Sequence, residues 1–141
     1  MKVNVVYWSG TGNTETMAEA VAEGAKNAGA EVAVIGVSDA DNSVLDADAL
    51  VLGCPAMGAE ELEESEFEPF FTSIEGKIAG KRIGLFGSYD WGDGEWMRTW
   101  QDRVSADGAI LIADGVIANN TPDETAILDC KDLGEKAAKL Y

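Results

Sequence analysis

The chain has 141 residues, 46% of them hydrophobic, which suits a single domain over residues 1–141 with a core of its own. Lysine plus arginine number 10 against 26 for aspartate plus glutamate, a net charge of −16 that repels nucleic acid and anionic lipid. There is no histidine, and the two cysteines, Cys54 and Cys130, are not spaced as a CxxC pair, so histidine-assisted nucleophiles and histidine-ligated zinc are excluded.

The first residues lack the basic start and long apolar stretch of a signal peptide, and no run approaches the ~20 apolar residues of a membrane span. A cytoplasmic protein is expected. Short apolar runs alternate with helical patterns along the chain. The first strand is predicted over Val3 to Tyr7 and is followed by the loop Trp8-Ser9-Gly10-Thr11-Gly12-Asn13-Thr14. Next comes an amphipathic helix, with Met17, Val21 and Ala25 four apart beside Ala18 and Ala22, and Glu15, Glu19 and Glu23 on its solvent side. Further strands are predicted at Val32 to Ile35, Ala49 to Leu52, Ile83 to Phe86 and Ala109 to Ile112, and helices near Phe67 to Ile74, Glu95 to Ser105 and Asp123 to Leu140. The strand runs are continuous rather than alternating, as for strands covered on both faces. Repeated β-α units with right-handed crossovers imply an α/β doubly wound, five-stranded parallel sheet with helices on both faces.

Ligands in such folds bind beyond the carboxyl ends of the strands. Three segments there differ from ordinary connectors: the first loop, Cys54 to Glu64, and Ser88 to Trp96. Glycine-rich strand-to-helix loops turn backbone N–H groups and a helix dipole onto a phosphate. This one is not the nucleotide P-loop, because Asn13-Thr14 follows Gly12 where a lysine is required, and not the dinucleotide fingerprint, because Glu15 stands where a third glycine would be. Its donors are the hydroxyls of Ser9, Thr11 and Thr14, the Asn13 amide and backbone N–H groups. A simple helix cap accounts for only one such residue.

Ser9-Gly10-Thr11-Gly12-Asn13-Thr14 resembles the phosphate loop of the flavodoxins, S/T-x-T-G-x-T, at every position. The resemblance extends to Gly53-Cys54-Pro55-Ala56-Met57-Gly58, the acidic run after it, and Gly87 to Met97, and is closest to the short-chain flavodoxins of clostridial-type anaerobes. It implies strand order 2-1-3-4-5, non-covalent FMN, and a low-potential one-electron carrier, not an enzyme, that shuttles between semiquinone and hydroquinone. The cofactor residues it implies are Ser9, Gly10, Thr11, Gly12, Asn13 and Thr14; Pro55, Ala56, Met57, Gly58, Ala59 and Glu60; and Ser88, Tyr89, Asp90, Trp91 and Gly92, with no metal. Met57 is implied to cover the inner flavin face, Trp91 to stack on the outer one, and Glu60 to bond the N3 edge. Glu61, Glu63, Glu64, Glu66 and Glu68 are expected to be a solvated run. Pro55 replaces a hydroxyl, and Asp90 a glycine, found in other members.

In the family the peptide after Gly58 flips on reduction so that its carbonyl meets the flavin N5–H. Glycine at the first central position permits the type II′ turn, whereas Ala59 is unfavourable at the φ > 0 second position of type II. Trp96 and Trp100, four apart on a helix, are candidates for core, and Cys54 for a small buried apolar residue. Tyr7 and Trp8 fit either core or site. Partners are expected to be basic-patched reductases and ferredoxin-using oxidoreductases meeting a monomer, in encounters that fade with salt. Alternatives are an FMN-dependent quinone reductase or an activating flavoprotein of a radical enzyme on the same fold, and a flavin-free acidic interaction module. A regulatory receiver would need an aspartate where Gly53-Cys54-Pro55 lies.

Overall fold

The computed structural model describes residues 1–139. Strands β1 (Lys2–Tyr7), β2 (Glu31–Gly36), β3 (Ala49–Gly53) and β4 (Arg82–Tyr89) alternate with helices α1 (Asn13–Asn27), α2 (Phe67–Glu75) and α3 (Glu95–Ala106). Then follow β5 (Ile110–Leu111), β6 (Val116–Asn119) and α4 (Glu124–Ala137). All pairings between these strands are parallel, in the order β2-β1-β3-β4-β5, with β6 also on β4. The expected order therefore holds, but the fifth position is split. β5 pairs with the start of β4 at Arg82 and Ile83, and β6 with its end, Phe86 to Tyr89. The run Ala109 to Ile112 thus supplies only half of that strand, and Asp114-Gly115 interrupts it before Val116. The last helix ends at Ala137, and Leu140 of the predicted span lies outside the described residues.

The period of two along β3 divides the core. Leu50 and Leu52 face α2 and α3, packing with Phe67, Phe71 and Trp100, while Ala49 and Val51 face α1 and α4 with Met17, Val21 and Leu133. Coverage on both faces holds for β3 and for most of β1 and β4, whereas β2 is an edge strand with Val34 exposed. α1 and α4 cross at backbone contact distance. A Cβ on Gly24 would overlap the Lys131 carbonyl, and one on Gly134 the Val21 carbonyl, so only glycine permits this crossing. Asn4 is buried in β1, where its amide donates to the Val44 carbonyl at 2.9 Å. Cys54 and Cys130 are both buried as free thiols, and burial raises the pKa of each, Cys130 to about 12. Cys54 is thus the apolar residue its context suggests.

Candidate cofactor-binding site

β1 runs between β2 and β3, so the chain leaves β1 in one direction to build β2 and crosses back to build β3. The loops after β1 and β3 diverge from this switch point, and the loop after β4 lies beside them. In the first, Gly12 enters α1 with φ 96°, its N–H donating to Ser9 Oγ at 3.1 Å and its carbonyl accepting from the Thr16 hydroxyl at 3.0 Å. Gly10 and Thr11 are exposed at the tip, and Asn13 is half-buried. Thr14 is buried, and its hydroxyl lies 3.1 Å from that of Ser88 at the end of β4.

The helix N-termini separate this loop from the rest of the molecule. A helix's first N–H groups have no partner within the helix, and carboxylates suit them. Glu63 accepts from Glu66 and Phe67 at the start of α2, Glu60 from Glu95 N at the start of α3 (3.0 Å), and Asp123 from Ala126 N in α4 (2.8 Å). Among the described residues, α1 is the helix whose first N–H groups receive no carboxylate; only the Ser9 hydroxyl accepts there, from Gly12 N. In so acidic a chain, hydroxyls, glycines and an amide there leave the positive end of α1 open to an anion.

The second loop leaves β3 through Cys54, half-buried Pro55 and half-buried Ala56, whose N–H donates to the Ser88 carbonyl at 3.0 Å. Met57 and Glu61 then pair antiparallel, N to O at 2.8 and 2.9 Å, around Gly58, Ala59 and Glu60. Gly58 has φ 52° and Ala59 lies outside the left-handed region, while Glu60, at φ 55°, is a left-handed residue the sequence did not signal. The Glu60 carboxylate reaches the third loop, occupying the space a side chain at Gly92 would need. In that loop Asp90 is exposed with φ outside the left-handed region, and Tyr89 packs on Trp96 with ring centroids 5.5 Å apart. Trp91 is 62% exposed and Met57 38%, so two large apolar side chains stand in solvent on loops joined by one carboxylate.

The end of β6 adds residues that sequence reading passed over. Asn120, at φ 56°, donates its N–H to the Tyr89 carbonyl at 2.8 Å, placing Asn119 and Asn120 on the rim. Of the two ambiguous aromatics, Tyr7 donates to Glu15 at 2.9 Å and Trp8 donates its indole N–H to Glu66 at 3.2 Å. Trp8, Met57, Gly58 and Leu62 line a cleft of about 370 Å³ between the first two loops. Trp96 and Trp100 are core, as their spacing predicts.

The acidic run is not uniformly solvated. Glu63 is buried, Glu66 holds Trp8, and Glu68 accepts both Arg103 guanidinium N–H groups at 2.7 and 2.9 Å. Arg103 also pairs with Glu75 at 2.6 Å and lies 4.8 Å above the Phe71 ring. Its hydrogen bonds hold the Glu68 carboxyl below the usual carboxylate range despite partial burial. Only Glu61 and Glu64 fit the solvated reading without qualification.

An FMN site calls for hydrogen-bond donors to a phosphate, apolar partners for a flat ring, and backbone groups for its polar edge. The open N-terminus of α1, exposed Met57 and Trp91, and the backbone of the second and third loops meet those needs. The fold and these loops are those of a doubly wound protein suited to a flavin nucleotide. The flavodoxin family profile matches residues 5–133. A flavodoxin of Clostridium beijerinckii is 50% identical over 98% of this chain and 100% of its own, and one of Megasphaera elsdenii 50% identical over 97% and 98%. The solution structure of two-electron reduced Megasphaera elsdenii flavodoxin superposes with a TM-score of 0.90, covering 96% of this chain and 98% of that one. The chain belongs to the flavodoxin family. It is an FMN-binding electron-transfer protein and not an enzyme, which sets aside the reductase, receiver and flavin-free alternatives.

Proposed function

We propose that FMN binds with its phosphate at Ser9 to Thr14, its ring between Met57 and Trp91, and its polar edge along Pro55 to Glu60 and Ser88 to Gly92. The observation that carries this reading is the start of α1, on which no carboxylate sits, in a chain that places carboxylates on the first N–H groups of α2, α3 and α4. When bound, FMN supplies the one-electron redox chemistry. The protein orients it, excludes water from the face under Met57, and surrounds it with negative charge. Residues 8–14, 54–66 and 90–94 contain no lysine or arginine, whereas Lys2, Lys81 and Arg82 stand at the amino ends of β1 and β4. An anionic reduced flavin is therefore disfavoured, which supports a low-potential second step. The same asymmetry favours weak, salt-sensitive docking of basic redox proteins at the flavin end.

The carrier acts as a monomer in the cytoplasm, with one FMN-binding domain. No helix among the described residues is long and apolar enough to cross a membrane. Replacing Thr11 and Thr14 together by valine should weaken FMN far more than riboflavin, since only FMN carries the phosphate. Titrations of the apoprotein in which both ligands lose affinity equally would overturn the placement.

A further inference from the structure

Glu63 is 4% exposed in a chain of net charge −16, and among the described residues no cation pairs with it. Burying an ionised carboxylate is costly unless its oxygens are hydrogen-bonded. Here they are. The carboxylate accepts from Ser65 N at 2.5 Å, Glu66 N at 3.0 Å, Phe67 N at 3.3 Å and the Ser65 hydroxyl. Burial alone would raise its pKa, but these bonds together outweigh burial and hold it below the usual range. The Glu63 backbone is engaged as well: its N–H donates to Cys54 Sγ at 3.3 Å and its carbonyl accepts from Glu68 N at 2.8 Å.

Cys54 ends the β3 path, its own N–H on the Phe86 carbonyl at 3.1 Å and its carbonyl on the Trp96 indole N–H at 3.1 Å. Residues 55–62 therefore leave and return to one fixed point, Cys54 against Glu63, and the Met57–Glu61 pair closes the segment above it. Only Leu62 separates that pair from the anchor.

We propose that Glu63 is a positioning residue for the flavin: its buried carboxylate fixes the foot of residues 55–62, sets the orientation of the Gly58–Ala59 peptide, and thereby biases the first reduction potential. This rests on the reading that the Met57–Glu60 turn borders the flavin. A carboxylate that only capped α2 would stabilise the fold alike in both redox states. The potential moves only if the two states lose affinity unequally.

The test is redox titration of FMN-loaded Glu63→Gln, which keeps the shape but turns an amide N–H₂ toward backbone donors, and of the milder Ser65→Ala. The first potential should fall by the equivalent of roughly three- to tenfold in relative affinity, the span of one net hydrogen bond, for Glu63→Gln, and by less for Ser65→Ala. Glu63→Asp should recover part of the shift, and the ratio of FMN to riboflavin affinity of the apoprotein should stay at the wild-type value. An unchanged first potential alongside a lowered urea midpoint would overturn the proposal, leaving Glu63 a helix cap. If Glu63→Gln does not fold, Ser65→Ala decides alone. Gly58→Val serves as the control: if it too leaves the potential unmoved, the placement of the turn is at fault, whereas a shift with Gly58→Val but not with Glu63→Gln removes only the role of Glu63.

Discussion

Gly58→Val isolates backbone conformation from packing. Gly58 is exposed at φ 52°, and a Cβ built on it meets no atom within 4 Å, so the substitution brings no clash with neighbours, only the strain of a left-handed residue. That strain is about 1–2 kcal/mol for a side chain with a Cβ, toward the upper end when it is β-branched. If the one-electron-reduced protein requires the glycine-first turn and the oxidised protein can relax to another, the strain appears in the first potential. At 59 mV per tenfold for one electron, it should fall by roughly 40–90 mV. Gly58→Ala should shift it less. Spectroelectrochemical titration reads both steps, and the second should move little. A variant that loses FMN affinity but keeps the wild-type first potential would refute the reasoning, because the strain would then burden both redox states alike.

Asp90 is exposed in the third loop, and its carboxylate should raise the energy of an anionic reduced flavin by about 1 kcal/mol or less after solvent screening. Asp90→Gly should therefore raise the second potential, leave the first nearly alone, and lose its effect in high salt; a second potential that stays or falls contradicts this. Arg103→Leu leaves Glu68 and Glu75 without their cation, and for groups about a third exposed the loss should be roughly 1–3 kcal/mol near neutral pH. Because Arg103 depresses the Glu68 pKa, its contribution is complete above the ordinary carboxylate value of ~4.3 and disappears as pH falls through the folded value, so the gap between wild type and variant in urea unfolding should narrow on acidification. Asp107, raised by burial and then by Glu75, loses the offsetting charge of Arg103 in the variant and so widens the gap in the same direction as pH rises. A gap that stays constant as pH falls from neutral to about 3, below the ordinary carboxylate value, would count against the clamp.

Much of the site was legible because its chemistry is local. Ser9 to Thr14 stood out because they carry more polar side chains than a helix cap needs and because they resemble the flavodoxin phosphate loop, and Met57 and Trp91 because they stand in turn-rich segments. The five-position sheet followed from the apolar runs, but the split of the last strand did not. Ile110-Leu111 and Val116 to Asn119 are each too short to carry a period, and they read as one strand only because β4 pairs with both. Glu63 was illegible for a different reason. Within Glu60 to Glu68 six of nine residues are glutamate, so composition points to water, and only the fold decides which carboxylate turns inward onto the start of α2. The spacing of Glu63 ahead of Ser65, Glu66 and Phe67 was the available signal, a polar acceptor just before an apolar helix. The pairing of Glu68 with Arg103, 35 residues away, had no such signal.

A bound flavin should take up its two electrons separately in this chain, through the turn at Gly58 for the first and the surrounding carboxylates for the second. Stepwise spectroelectrochemical reduction of the FMN-loaded wild-type protein tests it most directly. Two well-separated one-electron steps, the second far below the first, are the predicted result. A single two-electron transition, with no intermediate spectrum at any potential, would contradict it.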